Sequence, residues 1–453
     1  MTKEIYFVHS VDTEGPLYES LEAKFWRIKH IYNVDIKDKS EENLKKLRNQ
    51  EIDLGGIEKE IAEMLSSHLT NYNENWDQIS KMHEILFDEK FRYKNTDSEN
   101  NPWVFSWHCL DHVGYINNPR RRDLGHHKIF DYYKKLLDNY EVFGDKIFWH
   151  FHPMSMFKDA HKCGTSYVNS THLHEILCRK IIERDFFPSC FRGGFQVERP
   201  DSNLFLEQWI PFDITNMSYE DNQHLEKTID FRNGRGGDWR RATTDWVVYN
   251  PSHDDYQIRG NCRRFIGRAL NVLNRIASIN DFEMEKAFKQ ANNGNPALVA
   301  FASHDFRDLS YEVDYLRDMI NRASKKFPEV KFFYTDTKTA FNQIIWQNKS
   351  NTKDSIKLKI DFFDDKSDVP RIAVKCINGK TFGPQPFLAI EQIDGSFVHD
   401  NFDFDLKPQI WHYPFHDDTL PLNKVKRIGV ASNDIYGNTD IVKLDIKQVI
   451  NGE

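Results

Sequence analysis

DKIFWHFHP, Asp145 to Pro153, is an apolar, aromatic run that delivers two histidines, His150 and His152, and is stopped by a proline. Residues two apart on a strand point to the same face, so this reading sends both imidazoles to one point at the end of a buried strand. The segments on either side set the fold. KIFDYYKKLLDNY (Lys128–Tyr140) precedes it with the period of an amphipathic helix, and THLHEILCRKIIERD (Thr171–Asp185) follows as another, with Ser170 or Thr171 as cap. FFPSCFRGGF then reads as a short strand ending at Arg192, Gly193 and Gly194, and LFLEQWIPFDITN as a short helix and a strand. A strand followed by a helix, repeated, predicts parallel strands wrapped by helices. With this many units the expectation is an α/β chain forming an irregular (β/α) TIM-like barrel.

The other strands are read from the same signals. EIYFVHSVDTEGP (Glu4–Pro16) is a first strand with Asp12 and Glu14 at its tip, again two apart. Two acidic groups beside an apolar strand are costly to desolvate unless paired or metal-bound, the alternative being a solvated loop. From about 17 to 100 the chain is polar and helical, an expected insertion. PWVFSWHCLDHVGY (Pro102–Tyr115) is a second strand whose His108 and His112 are expected to line a pocket or the core. NPALVAFASHDFRD (Asn295–Asp308) is a buried strand ending at His304, followed by a helix, the strand VKFFYTD and the closing helix TKTAFNQIIWQ. DWVVYNPSHDDYQIRGNCRRF, from Asp245, has a strand-like start and then a loop. NKSNTKD (Asn348–Asp354) reads as a linker, and beyond it IKLKIDFF, RIAVKCI, FLAIEQI, KRIGVAS and DIVKLDI alternate without helices. That pattern predicts a small antiparallel β-sandwich. The expected domains are therefore 1–348 and 354–453.

Composition excludes several classes. A net charge of −8 over 453 residues provides no basic surface for nucleic acid. No run approaches a membrane span, and the first residues lack a basic segment followed by an apolar run, so the expected location is the cytoplasm. Six scattered cysteines contain no C-x-x-C pair, which signals neither a disulfide framework nor a cysteine zinc site.

In a parallel barrel, catalytic groups gather at the carboxyl ends of strands. Asp12 and Glu14, His150 and His152, Arg192, and His304 all fall at such ends. One carboxylate with two histidines suits zinc or another divalent transition ion with positions left open. The second carboxylate would take a proton from water, Arg192 would orient it, and His304 would protonate a leaving group.

VDTEGP, HFHP, CFRGGF and ASHDF, in that order, resemble the motifs of the polysaccharide deacetylase superfamily, the NodB-like carbohydrate esterases. The likeness is to a divergent branch reading V-D-x-E and H-x-H-P, and it covers about Lys3 to Gln347. It implies Asp12 as base, Glu14, His150 and His152 as metal ligands, Arg192 as the base's partner and His304 as acid, with Asp12 and Glu14 exchangeable. Better-known members carry adjacent aspartates and histidines four apart; His108 and His112 have that spacing but come one strand too early and lack the proline. The implied activity is removal of an N- or O-acetyl group from a sugar, the substrate being a surface polysaccharide or a nucleotide- or lipid-linked glycan precursor. Tyr249, Pro251, Ser252, Asp255 and Tyr256 are expected to shape a sugar pocket, with His108 nearby. The sandwich is expected to stabilise the barrel or a homodimer, or to bind carbohydrate. Two other readings stand beside this one: a barrel amidohydrolase, which usually carries its His-x-His on the first strand, and a glycan-binding protein with a degenerate site.

Overall fold

The computed structural model describes residues 2–111, 125–140, 143–153, 166–220, 236–274, 276–347, 354–364 and 369–451. His112, Asn233 to Arg235 and most of the expected linker lie outside these residues. Eight strands build the first sheet: β1 (Glu4–Thr13), β2 (Phe105–Leu110), β3 (Lys146–Phe151), β4 (Cys190–Gly193), β5 (Phe212–Asn216), β6 (Phe265–Asn271), β7 (Ala297–His304) and β8 (Lys331–Tyr334). All pair in parallel. One edge of β1 runs along β7 from Ile5 opposite Ala297 to Asp12 opposite His304. Its other edge is shared, with β8 beside Glu4–Phe7 and β2 beside His9–Thr13. The β1–β2 pairing closes a seven-stranded all-parallel barrel, and β8 lies outside the ring at its amino end.

Alternation along β1 separates two environments. Ile5, Phe7 and Val11 pack with outer residues such as Met284 and Phe288 from the helix Asp281–Asn292. Tyr6 and Val8 share a second cluster with Phe148, Ile214, Ala300 and Phe341, the last from the closing helix Thr337–Trp346. Asp12 belongs to that inward series, so the barrel's pleat, and no local motif, aims its carboxylate toward the axis.

The expected insertion contains six helices between Leu21 and Arg92. Ser20, Ser40, Asn75 and Asp88 cap four of them by accepting from backbone N–H groups in the first turn. Phe25, Ile28, Leu44, Leu47 and Ile61 give the segment a small core of its own. It is fastened to the barrel by Asn73, whose side chain donates to the carbonyls of Asp305 and Arg307 while its own N–H donates to Phe306.

Two four-stranded antiparallel sheets follow. The first orders β13 (Asp403–Phe404), β14 (Ile410–Pro414), β10 (Arg371–Asn378) and β9 (Lys357–Phe363). The second orders β12 (Phe397–Asp400), β11 (Phe387–Gln392), β15 (Val425–Asn433) and β16 (Thr439–Asp445). Ile372, Val374 and Trp411 of one face Leu388, Ile390 and Val430 of the other. On the opposite face of the second sheet, Phe387, Ala389 and Ala431 pack on Leu177, Ile181 and Trp209 of the barrel's helices. A sheet buried on both sides cannot be a loosely tethered module. Asn433 reinforces the junction by donating to the carbonyls of Pro188 and Trp209, both at 2.8 Å.

Two expectations change. The strand-like start at Asp245 is not a strand; Tyr249 and Pro251 make only isolated bridges, to Ile266 and Arg259. The strand is β6, FIGRALN, which reads as interrupted because Gly267 and Arg268 sit mid-run. Arg268 is tolerated there because its guanidinium pairs with both Glu283 oxygens at 2.7 Å. In the sandwich, β12, β13 and β14 supplement the five expected strands.

Candidate metal centre

β1 ends at Thr13, and the chain turns at Gly15, whose φ of 71° is in the left-handed region glycine favours. The turn is held by Asp305, whose carboxylate accepts from the Glu14 N–H at 2.9 Å, the Gly15 N–H at 3.0 Å and the Tyr133 hydroxyl at 3.0 Å. Glu14 is thereby directed at the end of β3. Its Oε1 lies 3.1 Å from His152 Nε2 and 3.7 Å from His150 Nε2. Two ligands about 2.0–2.1 Å from one tetrahedral ion sit roughly 3.4 Å apart, so these separations suit a shared cation. Glu14, His150 and His152 are a group whose donor atoms all lie within 4.8 Å of one another.

The tautomer of His150 follows from its partner. Nδ1 lies 2.9 Å from the Arg192 carbonyl oxygen, which can only accept, so Nδ1 carries the proton. Nε2 is buried and without a hydrogen-bond partner, and in the neutral imidazole it carries the lone pair that a metal ligand requires. Burial drives the His150 pKa down, Asp12 and Glu14 more than offset it, and the net direction is up. For His152 burial prevails over Glu14 and the net direction is down. Space for the His152 ring comes from Gly194, where a Cβ would stand 2.4 Å from His152 Cδ2. Phe195 packs across the same ring at 4.8 Å.

Asp12 sits deeper. Arg192 Nε donates to its Oδ1 at 2.7 Å and Oδ2 at 3.0 Å, and Nη1 donates to the Ile214 carbonyl. Burial raises the Asp12 pKa, but Arg192, then His150 and His304, outweigh it and the carboxyl is held below its ordinary value. It is an ionised acceptor at neutral pH. His304 Nε2 is 3.9 Å from both Asp12 Oδ2 and Glu14 Oε1, and its ring packs on Phe306 at 4.8 Å. Burial, only partly countered by the two carboxylates, lowers the His304 pKa to about 4. The imidazole is neutral at pH 7, so a proton that it donates must first be received there.

The six residues expected at strand ends, Asp12, Glu14, His150, His152, Arg192 and His304, thus meet at the barrel's carboxyl end. The expected substrate residues are each engaged within the fold. His108 is fully buried beside Asp12, its register partner on β1, within 3.4 Å of the Ser10 and Thr337 hydroxyls, and burial lowers its pKa to about 3. Its inward position on β2 puts it in the barrel interior. Tyr249 and Tyr256 are buried, with hydroxyls donating to the carbonyls of Tyr256 and Asp238. Asp255 pairs with Arg241 at 2.8 Å, and Ser252 donates its N–H to Ile258. These contacts fold the loop on itself. The one sequence signal for Asp305 is its place directly after His304 in ASHDF.

No protein-family model, curated protein or solved structure matches the chain. Fold and site define an α/β protein with a parallel barrel and a candidate metal centre at its carboxyl end. Among the described residues no helix is long and apolar enough to cross a membrane.

Proposed function

We propose that the chain is a metal-dependent deacylase of the polysaccharide deacetylase kind, removing an N- or O-acetyl group from a sugar. The observation that carries this reading is the pairing of a metal-type triad, Glu14, His150 and His152, with a separate carboxylate, Asp12, that Arg192 keeps ionised. A structural metal site has no need of the latter. Glu14, His150 and His152 would hold a divalent ion, zinc fitting the donor set best, which supplies Lewis acidity toward an acyl carbonyl and acidifies a water. Asp12 takes the proton of the attacking water, and Arg192 fixes the direction of its carboxylate. His304, within reach of both carboxylates and neutral beforehand, accepts the proton that Asp12 took from the water and passes it to the departing amine or hydroxyl, which leaves Asp12 ionised and His304 neutral again. Phe195 and Phe306 flank His152 and His304 with apolar surface, which strengthens the electrostatics between them.

The test is acetate release from N- and O-acetylated sugars by the full chain, as isolated, after chelation and after zinc is restored. Release that stops on chelation, returns with zinc and is lost in Asp12→Asn is expected. Metal-replete protein inert toward the whole panel would contradict the reading.

A further inference from the structure

At the other end of the barrel a second group of side chains converges. Glu207 lies on the helix Pro200–Trp209, which feeds β5, and Cys262 stands three residues before β6. His253 lies on the loop between them. The donor atoms of Glu207, His253 and Cys262 all fall within 4.8 Å of one another. These are amino ends of strands, opposite the site formed by Asp12, Glu14 and His304.

We propose that Glu207, His253 and Cys262 form a second, structural metal site for zinc or a similar thiolate-preferring divalent ion, tying the 245–265 loop to the helix that precedes β5.

The first support is distance. A sulfur at about 2.3 Å and an imidazole nitrogen at about 2.05 Å from one tetrahedral ion lie roughly 3.6 Å apart. Cys262 Sγ and His253 Nδ1 are separated by 3.5 Å. The second is preorganisation. Cys262 is fixed through its N–H to the Pro251 carbonyl at 3.0 Å and its carbonyl to Asn250 Nδ2 at 3.0 Å. The His253 carbonyl accepts from Asn203 Nδ2 at 3.2 Å. Gly260 lets the two arms of the loop close, because a Cβ there would stand 2.4 Å from Ser252 Cα.

Glu207 is oriented in the way ligating carboxylates are, by hydrogen bonds from behind. The Arg263 N–H donates to both oxygens at 2.9 Å and the Arg264 N–H to Oε2 at 3.2 Å. The Arg263 guanidinium, 3.2 Å from Oε1, is half-exposed and can turn to solvent when a cation arrives. A nucleophilic role for Cys262 is disfavoured, since burial and then Glu207 push its thiol up to about 12, the reverse of an activated cysteine. An ion would displace that proton. His253 is exposed, so the fourth position faces water.

The test is a Co(II) titration of the full chain after chelation, in wild type and variants. Among the described residues the metal centre at the carboxyl end has only nitrogen and oxygen donors, so a sulfur-to-cobalt charge-transfer band in the near ultraviolet that vanishes in Cys262→Ser reports this site. The expected result is such a band with two cobalt ions bound per chain, retained in His150→Ala and lost in Cys262→Ser. Substitution at exposed His253 leaves the fold intact, and His253→Ala is expected to weaken cobalt binding at this band at least tenfold. A titration without the band, or a band unchanged in Cys262→Ser or in His253→Ala, overturns the proposal. Either result leaves the deacylase reading untouched.

Discussion

Replacing Asp305 by Asn tests how the metal carboxylate is aimed. The Asp305 carboxylate accepts from two backbone N–H groups, those of Glu14 and Gly15, and from the Tyr133 hydroxyl. Asn keeps the size, but its NH₂ must face one of these donors. A hydrogen bond to a charged acceptor contributes about 1.5–3 kcal/mol, and a stranded buried donor costs about 1–3 kcal/mol, so a stability loss of about 2–4 kcal/mol is expected. The Glu14 backbone then loosens, and metal affinity should fall roughly 10- to 100-fold, the usual effect of removing a group that orients a ligand. Urea unfolding of metal-free protein reads the first quantity and calorimetric zinc titration the second. Tyr133→Phe is the control, since it removes the hydroxyl and leaves both N–H bonds; it should cost about 1 kcal/mol and leave affinity unchanged. If Asp305→Asn loses stability yet binds zinc as tightly as wild type, the positioning argument is wrong.

Asp12→Asn should retain zinc and lower kcat by roughly 10²- to 10⁴-fold, as removal of a general base does; loss of zinc would exchange its role with that of Glu14. Buried Glu312 has its pKa raised from 4.5 to about 7 by burial, against the opposing effects of Arg307 and Ser303. Such a carboxyl favours the fold only while protonated, so its contribution is present below about pH 4.5 and is lost as pH rises toward 7, on the order of 3 kcal/mol. Glu312→Gln should flatten this decline in urea midpoints taken across that range, and equal slopes for both proteins would contradict it. Gly429→Ala would place a Cβ 2.5 Å from Ile181 Cγ2 and 3.0 Å from Ile182 Cγ1 where the sandwich meets the barrel. An overpacking cost of about 1–3 kcal/mol is expected in chemical denaturation; an unchanged midpoint would mean that the junction adjusts freely.

The parts of the fold that sequence exposed are those with local period. β3 and β7 carry continuous apolar runs, and β1 is apolar from Ile5 to Val11 but for His9 and Ser10; the spacing of two in Asp12 and Glu14, and in His150 and His152, survives because a strand end keeps its alternation for one more step. β6 escaped because its buried Arg268 is neutralised by Glu283 from the following helix, a partner that only the folded chain supplies. Asp305 escaped for the same reason, its partners lying 172 to 291 residues away in sequence. His108 lies in the core, one of its two expected places, and the Tyr249–Tyr256 loop is folded on itself. The features that place them, the pleat of β2 for His108 and backbone carbonyls for both tyrosine hydroxyls, come only from the folded chain. The turn at Gly194 was visible as a glycine pair, but not the ring of His152 that requires it.

The central claim is that Glu14, His150 and His152 bind one metal ion. Anomalous diffraction at the zinc absorption edge, on crystals of the full chain grown with zinc, tests it most directly. A peak is expected at the barrel's carboxyl end, about 2.0–2.2 Å from a Glu14 oxygen and from Nε2 of both His150 and His152. No peak there in zinc-replete crystals, or an ion that leaves either histidine outside its ligands, would contradict it.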